Sequence, residues 1–183
     1  DIDLAMWQLE TPEDFQVISS LMVIDTTSSI AELSTIINTR LSAFSRFKQK
    51  IIDSPQGPAW IFDDKFDIRA HLHHIALPQP GNHETLQYLV SDLISSPLDY
   101  SRPLWQLHLI ENYEGKIVLL ARIHHCIGDG IALMRVLLSL TNDEKGTTTL
   151  PLPKPKRSPT VTPKEIEKSK NPLSNIAAWL HKG

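Results

Sequence analysis

The chain has 183 residues, of which 41% are hydrophobic and 21% are charged, a composition typical of a folded globular protein rather than a disordered or collagen-like one. Eighteen basic residues stand against 21 acidic ones, for a net charge of −3, which argues against a dedicated nucleic-acid-binding protein. A single cysteine excludes an internal disulfide and fits a reducing compartment. The first residues, Asp1 to Asp3, lack the layout of a signal peptide, and no apolar run has the roughly 20 residues needed to cross a bilayer. We therefore expect a cytoplasmic globular protein.

Apolar periodicity predicts a mixed α/β domain over residues 1–143. Residues 17–24 read as a strand, and residues 59–62 as a second, short strand after the turn residues Pro55 to Pro58. Ser29 and Glu32 form a capping box, a typical helix start. The helix that it opens carries its apolar face on Ile30, Leu33, Ile36, Ile37, Leu41 and Phe44.

The second half of this domain is predicted to contain a helix, a hairpin and another helix. An amphipathic helix runs through residues 86–93 and ends at Ser96-Pro97. Strands over 104–111 and 116–124 flank a four-residue turn over 112–115. The last predicted helix, over 131–140, is so apolar that we expect it to be buried.

The composition changes near residue 145, where prolines and charged residues replace large apolar ones. Six of the 13 prolines lie between 151 and 172, so residues 144–171 are predicted to be an extended linker that cannot bury a core. Residues 172–183 read as the start of an amphipathic helix, with Leu173, Ile176 and Leu180 on one face. A frayed terminus is the alternative interpretation of this last stretch.

Chemistry is concentrated where the second hairpin strand ends, in the segment from Ile123 to Gly130. Two histidines, His124 and His125, close the strand, and a Gly-Asp-Gly turn leads into the apolar helix. A neutral imidazole can accept a proton near neutral pH, and strand alternation directs the side chain of Cys126 away from His125. The simplest chemistry is therefore a histidine general base that activates an external nucleophile, without a covalent enzyme intermediate.

Each residue of this segment also has a structural interpretation. The histidines could serve packing or hydrogen bonding. Asp129 could cap the helix that starts at Gly130, or it could pair with an arginine; the candidates are Arg102, Arg122 and Arg135. A metal site shared by His71, His73 and His74 with His124 and His125 is the remaining alternative, but the spacing matches no standard zinc pattern, so we expect no metal.

The pattern His-His-x-x-x-Asp-Gly, from His124 to Gly130, resembles the signature of coenzyme-A-dependent acyltransferases of the chloramphenicol-acetyltransferase-like superfamily. Three further motifs are similar to the bacterial wax ester synthase/diacylglycerol acyltransferase family, and their order and spacing match its N-terminal half. They are Asp3-x-x-Met6-Trp7-x-x-Glu10-Thr11-Pro12, Phe66-Asp67-Ile68-x-x-His71-Leu72-x-x-Ile75-x-Leu77-Pro78-x-Pro80-Gly81 and Arg102-Pro103-Leu104-Trp105.

The resemblance implies a chloramphenicol-acetyltransferase-like α/β fold, a mixed sheet with flanking helices, in two similar domains with a channel between them. It also implies transfer of a fatty acyl group from acyl-CoA to a long-chain alcohol or a diacylglycerol, with acyl-CoA as substrate and no further cofactor. His125 would be the general base and His124 a supporting neighbour. Asp129 would hold the loop, and Gly130 would allow the turn to approach its surroundings closely. The acyl or acceptor tunnel would be shaped by Pro103, Leu104 and Trp105.

The resemblance also implies a second domain with an Asn-Asp-Val-type motif, which the pair Asn142-Asp143 does not match. We therefore expect this chain to be the N-terminal domain of a larger enzyme and to be inactive alone. Its apolar substrates suggest peripheral association with the inner membrane or with lipid inclusions. Two alternatives stay open: a condensation-type domain acting on carrier-protein thioesters, and a non-catalytic domain that binds a lipid or a partner.

Overall fold

Helices and strands alternate through the part of the chain that the computed structural model describes, residues 2–11 and 14–140. The helices are α1 (Ile2–Leu9), α2 (Ile30–Leu41), α3 (His83–Ile94) and α4 (Gly130–Ser139), and the strands are β1 (Val17–Ile24), β2 (Gln49–Ser54), β3 (Gly57–Phe62), β4 (Leu72–Ala76), β5 (Trp105–Tyr113) and β6 (Lys116–His124). Short 3-10 helices span Ser45–Lys48 and Ile68–Ala70. The predicted linker over 144–171, the predicted helix over 172–183 and the pair Asn142-Asp143 lie outside the described residues.

The strands form a four-stranded mixed sheet and a separate two-stranded hairpin. In the larger sheet the order is β1-β6-β5-β4, and the smaller sheet pairs β2 with β3. The β4–β5 pair is parallel, whereas β1–β6 and β5–β6 are antiparallel. This arrangement confirms the predicted mixed α/β fold.

Strand β6 lies in the interior of the larger sheet and carries the predicted site at its end. Its last residue, His124, lies opposite Val17 of β1, and Ile123 lies opposite Trp105 of β5. Residues 118–124 are all buried, as expected for a strand that is paired on both edges and covered on both faces. The strand predicted over 116–124 is therefore paired on both sides up to the first histidine.

The two faces of the sheet pack against two separate apolar clusters. Leu119, Ala121 and Ile123 belong to the larger cluster, which includes residues of α2 and α4. The alternate residues Val118 and Leu120 belong to a smaller cluster with Leu77, Ile110 and Leu86 of α3. Alternation along β6 thus distributes its side chains between the two clusters.

Helix α4 is only partly buried, so the prediction of a fully buried helix is wrong for one face. Leu133, Val136 and Leu137 pack into the larger cluster. Ile131, Met134 and Leu138, at spacings of three and four residues, are exposed by 72%, 48% and 38%. Because both faces are apolar, hydrophobicity alone could not reveal which side packs against the sheet.

The hairpin between β5 and β6 is tighter than the predicted four-residue turn. Tyr113 pairs with Lys116, which leaves only Glu114 and Gly115 in the loop. Both have positive φ, 49° and 75°, as a type I′ hairpin turn requires. The register shifts between Ile110 and Tyr113, so the residues that resembled a longer turn form an irregularity within β5.

Candidate active site

Backbone hydrogen bonds from three parts of the chain hold the two histidines at the end of β6. The His124 N–H donates to the Leu104 carbonyl oxygen at 3.0 Å, and the His125 N–H donates to the Gln16 carbonyl oxygen at 2.7 Å. The Ile127 N–H donates back to the His124 carbonyl oxygen at 3.0 Å. The turn is therefore fixed by the residues that directly precede β1 and β5.

The side chain of His124 is fully buried, and both of its ring nitrogens are used within the protein. Nδ1 accepts a hydrogen bond from the Cys126 backbone N–H at 3.0 Å. Nε2 contacts the Glu10 carboxylate. Since a backbone N–H can only donate, Nδ1 must be unprotonated and the proton lies on Nε2, which donates to Glu10.

Burial lowers the pKa of His124, and the Glu10 carboxylate opposes that effect in part while His125 adds to it. The hydrogen bond from Cys126 favours the same neutral state, since a second ring proton would have to displace it. His124 is therefore a neutral ring with a single tautomer. It has no nitrogen free to take a proton from a substrate.

His125 differs from its neighbour because its side chain is only half-buried. Its backbone is fixed by the bond to Gln16. Cys126 is fully buried in the larger cluster, so the two neighbours differ in burial, and the predicted divergence of their side chains stays a prediction. Within this turn, His125 is thus the accessible histidine and His124 the enclosed one.

Asp129 caps α4, which is one of the two structural roles that the sequence left open. Its Oδ1 accepts from the Ala132 N–H at 2.8 Å. Two of the three arginines considered as partners bond to other side chains: Arg102 pairs with Asp99, and Arg122 donates to Gln106. The carboxylate therefore fixes the start of the helix that follows the histidines.

The close approach expected at Gly130 is absent from the described part of the chain. A Cβ placed on Gly130 would meet no atom within 4 Å, whereas one on Gly128 would contact Leu133 and Ala132 at 3.5 and 3.6 Å. The first turn of α4 is exposed at Gly130. A close approach of this turn to other parts of the protein stays a prediction.

Pro103, Leu104 and Trp105 are all buried, and the structure gives two of them defined contacts. The Leu104 carbonyl oxygen accepts from His124, as described above. The Trp105 indole N–H donates to the Phe47 carbonyl oxygen at 2.8 Å, and its ring stacks on His71 at 4.6 Å between centroids. Contact of these three residues with substrate stays a prediction.

The three histidines considered for a metal site are not brought together with the histidine pair. Strand β5 separates β4, with His73 and His74, from β6 in the sheet order. The His71 Nδ1 bonds the Trp105 carbonyl oxygen at 2.9 Å, His73 stacks on His108, and His74 pairs with Glu111. Within the described residues, no group of three or more His, Cys, Asp or Glu side chains could hold a metal ion.

Glu10 is the site residue to which the sequence assigned no role. It lies 114 positions before His124, so no periodicity or local spacing links the two. Its position within the first of the resembling motifs, after Met6-Trp7, was the one signal available.

The family model for the wax ester synthase/diacylglycerol acyltransferase catalytic domain matches residues 1–181. The chain belongs to this family. A probable diacylglycerol O-acyltransferase of Mycobacterium tuberculosis, tgs1, is 39% identical over 108 residues, which are 57% of this chain and 23% of that protein. Another from the same organism, tgs3, is 31% identical over 141 residues, or 73% of this chain and 52% of that protein. The chain thus spans between a quarter and about half of the length of these relatives.

Solved structures share the fold. The wax ester synthase/diacylglycerol acyltransferase from Marinobacter aquaeolei VT8 is 25% identical with a TM-score of 0.61, over 73% of this chain and 34% of that one. The starter condensation domain of rhizomide synthetase is 16% identical with a TM-score of 0.66, over 81% of this chain and 36% of that one. Its low identity makes it a relative by fold alone.

None of the helices in the described residues is long and apolar enough to span a membrane.

Proposed function

We propose that the protein transfers a fatty acyl group from acyl-CoA to a lipid hydroxyl, with His125 as general base. The acceptor is a long-chain alcohol, giving a wax ester, or a diacylglycerol, giving a triacylglycerol. The observation that carries the proposal is the contrast between two adjacent histidines: His124 has both ring nitrogens bonded, whereas His125 is fixed by its backbone and accessible at its side chain. Family membership supports the acyl-transfer chemistry.

The reaction requires one base and no covalent enzyme intermediate. The neutral His125 ring takes the proton of the acceptor hydroxyl as its oxygen attacks the thioester carbonyl carbon. The tetrahedral intermediate collapses with cleavage of the carbon–sulfur bond. The departing CoA sulfur takes the proton from the imidazolium, which restores neutral His125 and leaves an ester and free CoA thiol.

The enzyme needs more of the chain than residues 1–140. The oxyanion of the intermediate requires a hydrogen-bond donor or a positive charge, and the described residues around His125 supply no assigned group for it. We propose that a second domain completes the channel, as expected from the much greater length of the relatives. Residues 1–183 alone should then release no CoA.

The test measures CoA thiol released from palmitoyl-CoA by the full-length protein, with hexadecanol or a diacylglycerol as acceptor. Acceptor-dependent release should fall by about 10²–10⁴-fold in His125→Ala, the usual contribution of general base catalysis. His83→Ala is the matched control, because His83 is an exposed histidine at the start of α3. His83→Ala should keep wild-type activity. The acceptor that gives the faster release in the wild type then identifies the main product as a wax ester or a triacylglycerol.

Other outcomes contradict the proposal in distinct ways. Release without acceptor would indicate a thioesterase, and no release by folded protein would favour a condensation-type or binding domain. We propose that no cofactor is required, so EDTA should leave the rate unchanged. We also propose peripheral contact with lipid surfaces, because both acceptors are apolar; the protein should then sediment with vesicles that contain diacylglycerol.

A further inference from the structure

We infer that Glu10 is a positioning residue for this acyl transfer: its carboxylate holds the buried His124 ring and, through it, the turn that carries His125. The inference rests on the proposed function of His125. Glu10, which lies far from the histidine pair in sequence, would then help to position it.

The Glu10–His124 contact is enclosed. The Glu10 side chain is 7% exposed and the His124 side chain 0% exposed. A carboxylate is rarely buried unless a hydrogen bond or a charge compensates for its lost hydration. The His124 Nε2–H supplies that hydrogen bond, so the two residues depend on each other for their burial.

The ring of His124 connects Glu10 to the backbone of the turn. Its Nδ1 accepts from the Cys126 N–H at 3.0 Å, one residue beyond His125. If the proton were on Nδ1, two donors, Nδ1–H and the Cys126 N–H, would face each other and no hydrogen bond could form between them. By accepting from Nε2–H, Glu10 selects the tautomer that the turn requires.

The segment between α1 and β1 holds both histidines at once. Glu10 binds the side chain of His124, and the Gln16 carbonyl oxygen accepts from the His125 N–H at 2.7 Å. Reciprocal backbone hydrogen bonds between Thr11 and Asp14, at 3.1 and 3.3 Å, tie this segment together. Of the contacts that the described residues of this segment make with the histidine pair, losing Glu10 would remove the one to the His124 side chain and leave the one to the His125 backbone.

The first test is a kinetic comparison in the full-length protein with palmitoyl-CoA and the preferred acceptor. In Glu10→Ala, kcat should fall by roughly 10²-fold with KM nearly unchanged, since a small displacement of the base affects the transition state more than substrate binding. Glu10→Gln should stay within about fivefold of wild type, because its amide oxygen can accept the same Nε2–H bond. Asp64→Ala, which removes an exposed carboxylate after β3, should have no effect.

A double variant tests whether Glu10 acts through His124. If it does, Glu10→Ala combined with His124→Ala should be no slower than His124→Ala alone, because the effects of coupled residues do not add. Independent, additive losses would overturn the inference. So would a normal kcat in Glu10→Ala, or a Glu10→Gln variant as slow as Glu10→Ala.

A measurement without turnover separates this inference from the proposed function. In protein labelled with ¹⁵N-histidine, the buried His124 Nε2–H should give a slowly exchanging resonance that His124→Ala removes. Glu10→Gln should keep this resonance and Glu10→Ala should lose it, with thermal melts confirming that both variants are folded. A resonance that persists unchanged in Glu10→Ala would overturn the inference even if the wild-type protein transferred no acyl group.

Discussion

At the scale of single residues, two adjacent histidines have opposite environments. His124 ends a strand paired on both edges, so its ring turns into the protein, where Glu10 and the Cys126 N–H occupy its nitrogens. His125 lies one residue beyond the strand and is half-buried. One imidazole is thus held neutral as a structural group, and the next is partly exposed.

Gly130→Ala tests whether the turn after the histidines needs a glycine. A Cβ there would meet no atom within 4 Å, and the residue starts a helix, where alanine is favoured. We expect the free energy of unfolding to stay constant or to rise by up to about 1 kcal/mol, measured by urea denaturation.

Asp129→Ala provides the contrast at the neighbouring position. It removes the cap on the Ala132 N–H, and we expect it to lower the free energy of unfolding by about 1 kcal/mol. If Gly130→Ala were also destabilising, the turn would have to pack against groups beyond the described residues, and the close approach implied by the resemblance would be restored.

At the scale of elements, the loop between β4 and α3 is locked onto β5 at Gly81. Gly81 has a φ of 67°, and a Cβ on it would overlap the backbone carbonyl oxygen of Asn112. The Glu114 N–H donates to the Gly81 carbonyl oxygen at 3.1 Å. Gly81→Ala should therefore lower the free energy of unfolding by about 2–4 kcal/mol, through backbone strain and steric overlap.

Gly115→Ala is the matched control for Gly81→Ala. Gly115 has a similar φ of 75°, but a Cβ on it would meet nothing within 4 Å. Only the conformational penalty applies there, about 1 kcal/mol. Equal losses in the two variants would mean that the contact with Asn112 relaxes without cost and that the loop is not locked.

The sequence predicted elements that have a clear local signal. The capping box at Ser29 predicted the start of α2, and the turn residues between two apolar runs predicted β5 and β6. Helix α1 and strand β2 were not predicted. Strand β4 was missed because it contains only five residues, Leu72–Ala76, and pairs in parallel with residues 35 positions later, Leu72 with Leu107. The same limit applies at the site: the turn with His125 is a contiguous motif, whereas Glu10 reaches it only through the folded chain.

At the scale of the whole molecule, buried and half-buried polar side chains lie on neighbouring strands of the sheet. His73 of β4 stacks on His108 of β5 with 5.0 Å between ring centroids. On β6, Arg122 donates to Gln106 at 3.1 Å and to the Ser96 carbonyl oxygen. Within the described residues, neither ring nitrogen of His108 has a hydrogen-bond partner. A protonated His108 ring would therefore be a buried charge without a hydrogen bond, which is costly in the folded state.

Stability should consequently depend on pH through His108. Burial lowers the pKa of His108 to about 4, with the neighbouring His73 and Arg122 adding to the effect; an unfolded histidine titrates near 6.5. Between these values the unfolded chain binds the extra proton, so the free energy of unfolding should fall as the pH drops from about 6.5 to about 4 and then level off. The single-site contribution is about 3 kcal/mol at most.

His108→Leu isolates this contribution. Urea denaturation from pH 7 to pH 4.5 should give a pH slope smaller than that of the wild type by up to about 1.4 kcal/mol per pH unit, the value for one proton. Burial also lowers the pKa of His71 and His73, so part of the wild-type slope should persist in the variant. An unchanged slope in His108→Leu would mean that His108 accepts a proton in the folded protein, which its enclosure between β4 and β6 should prevent.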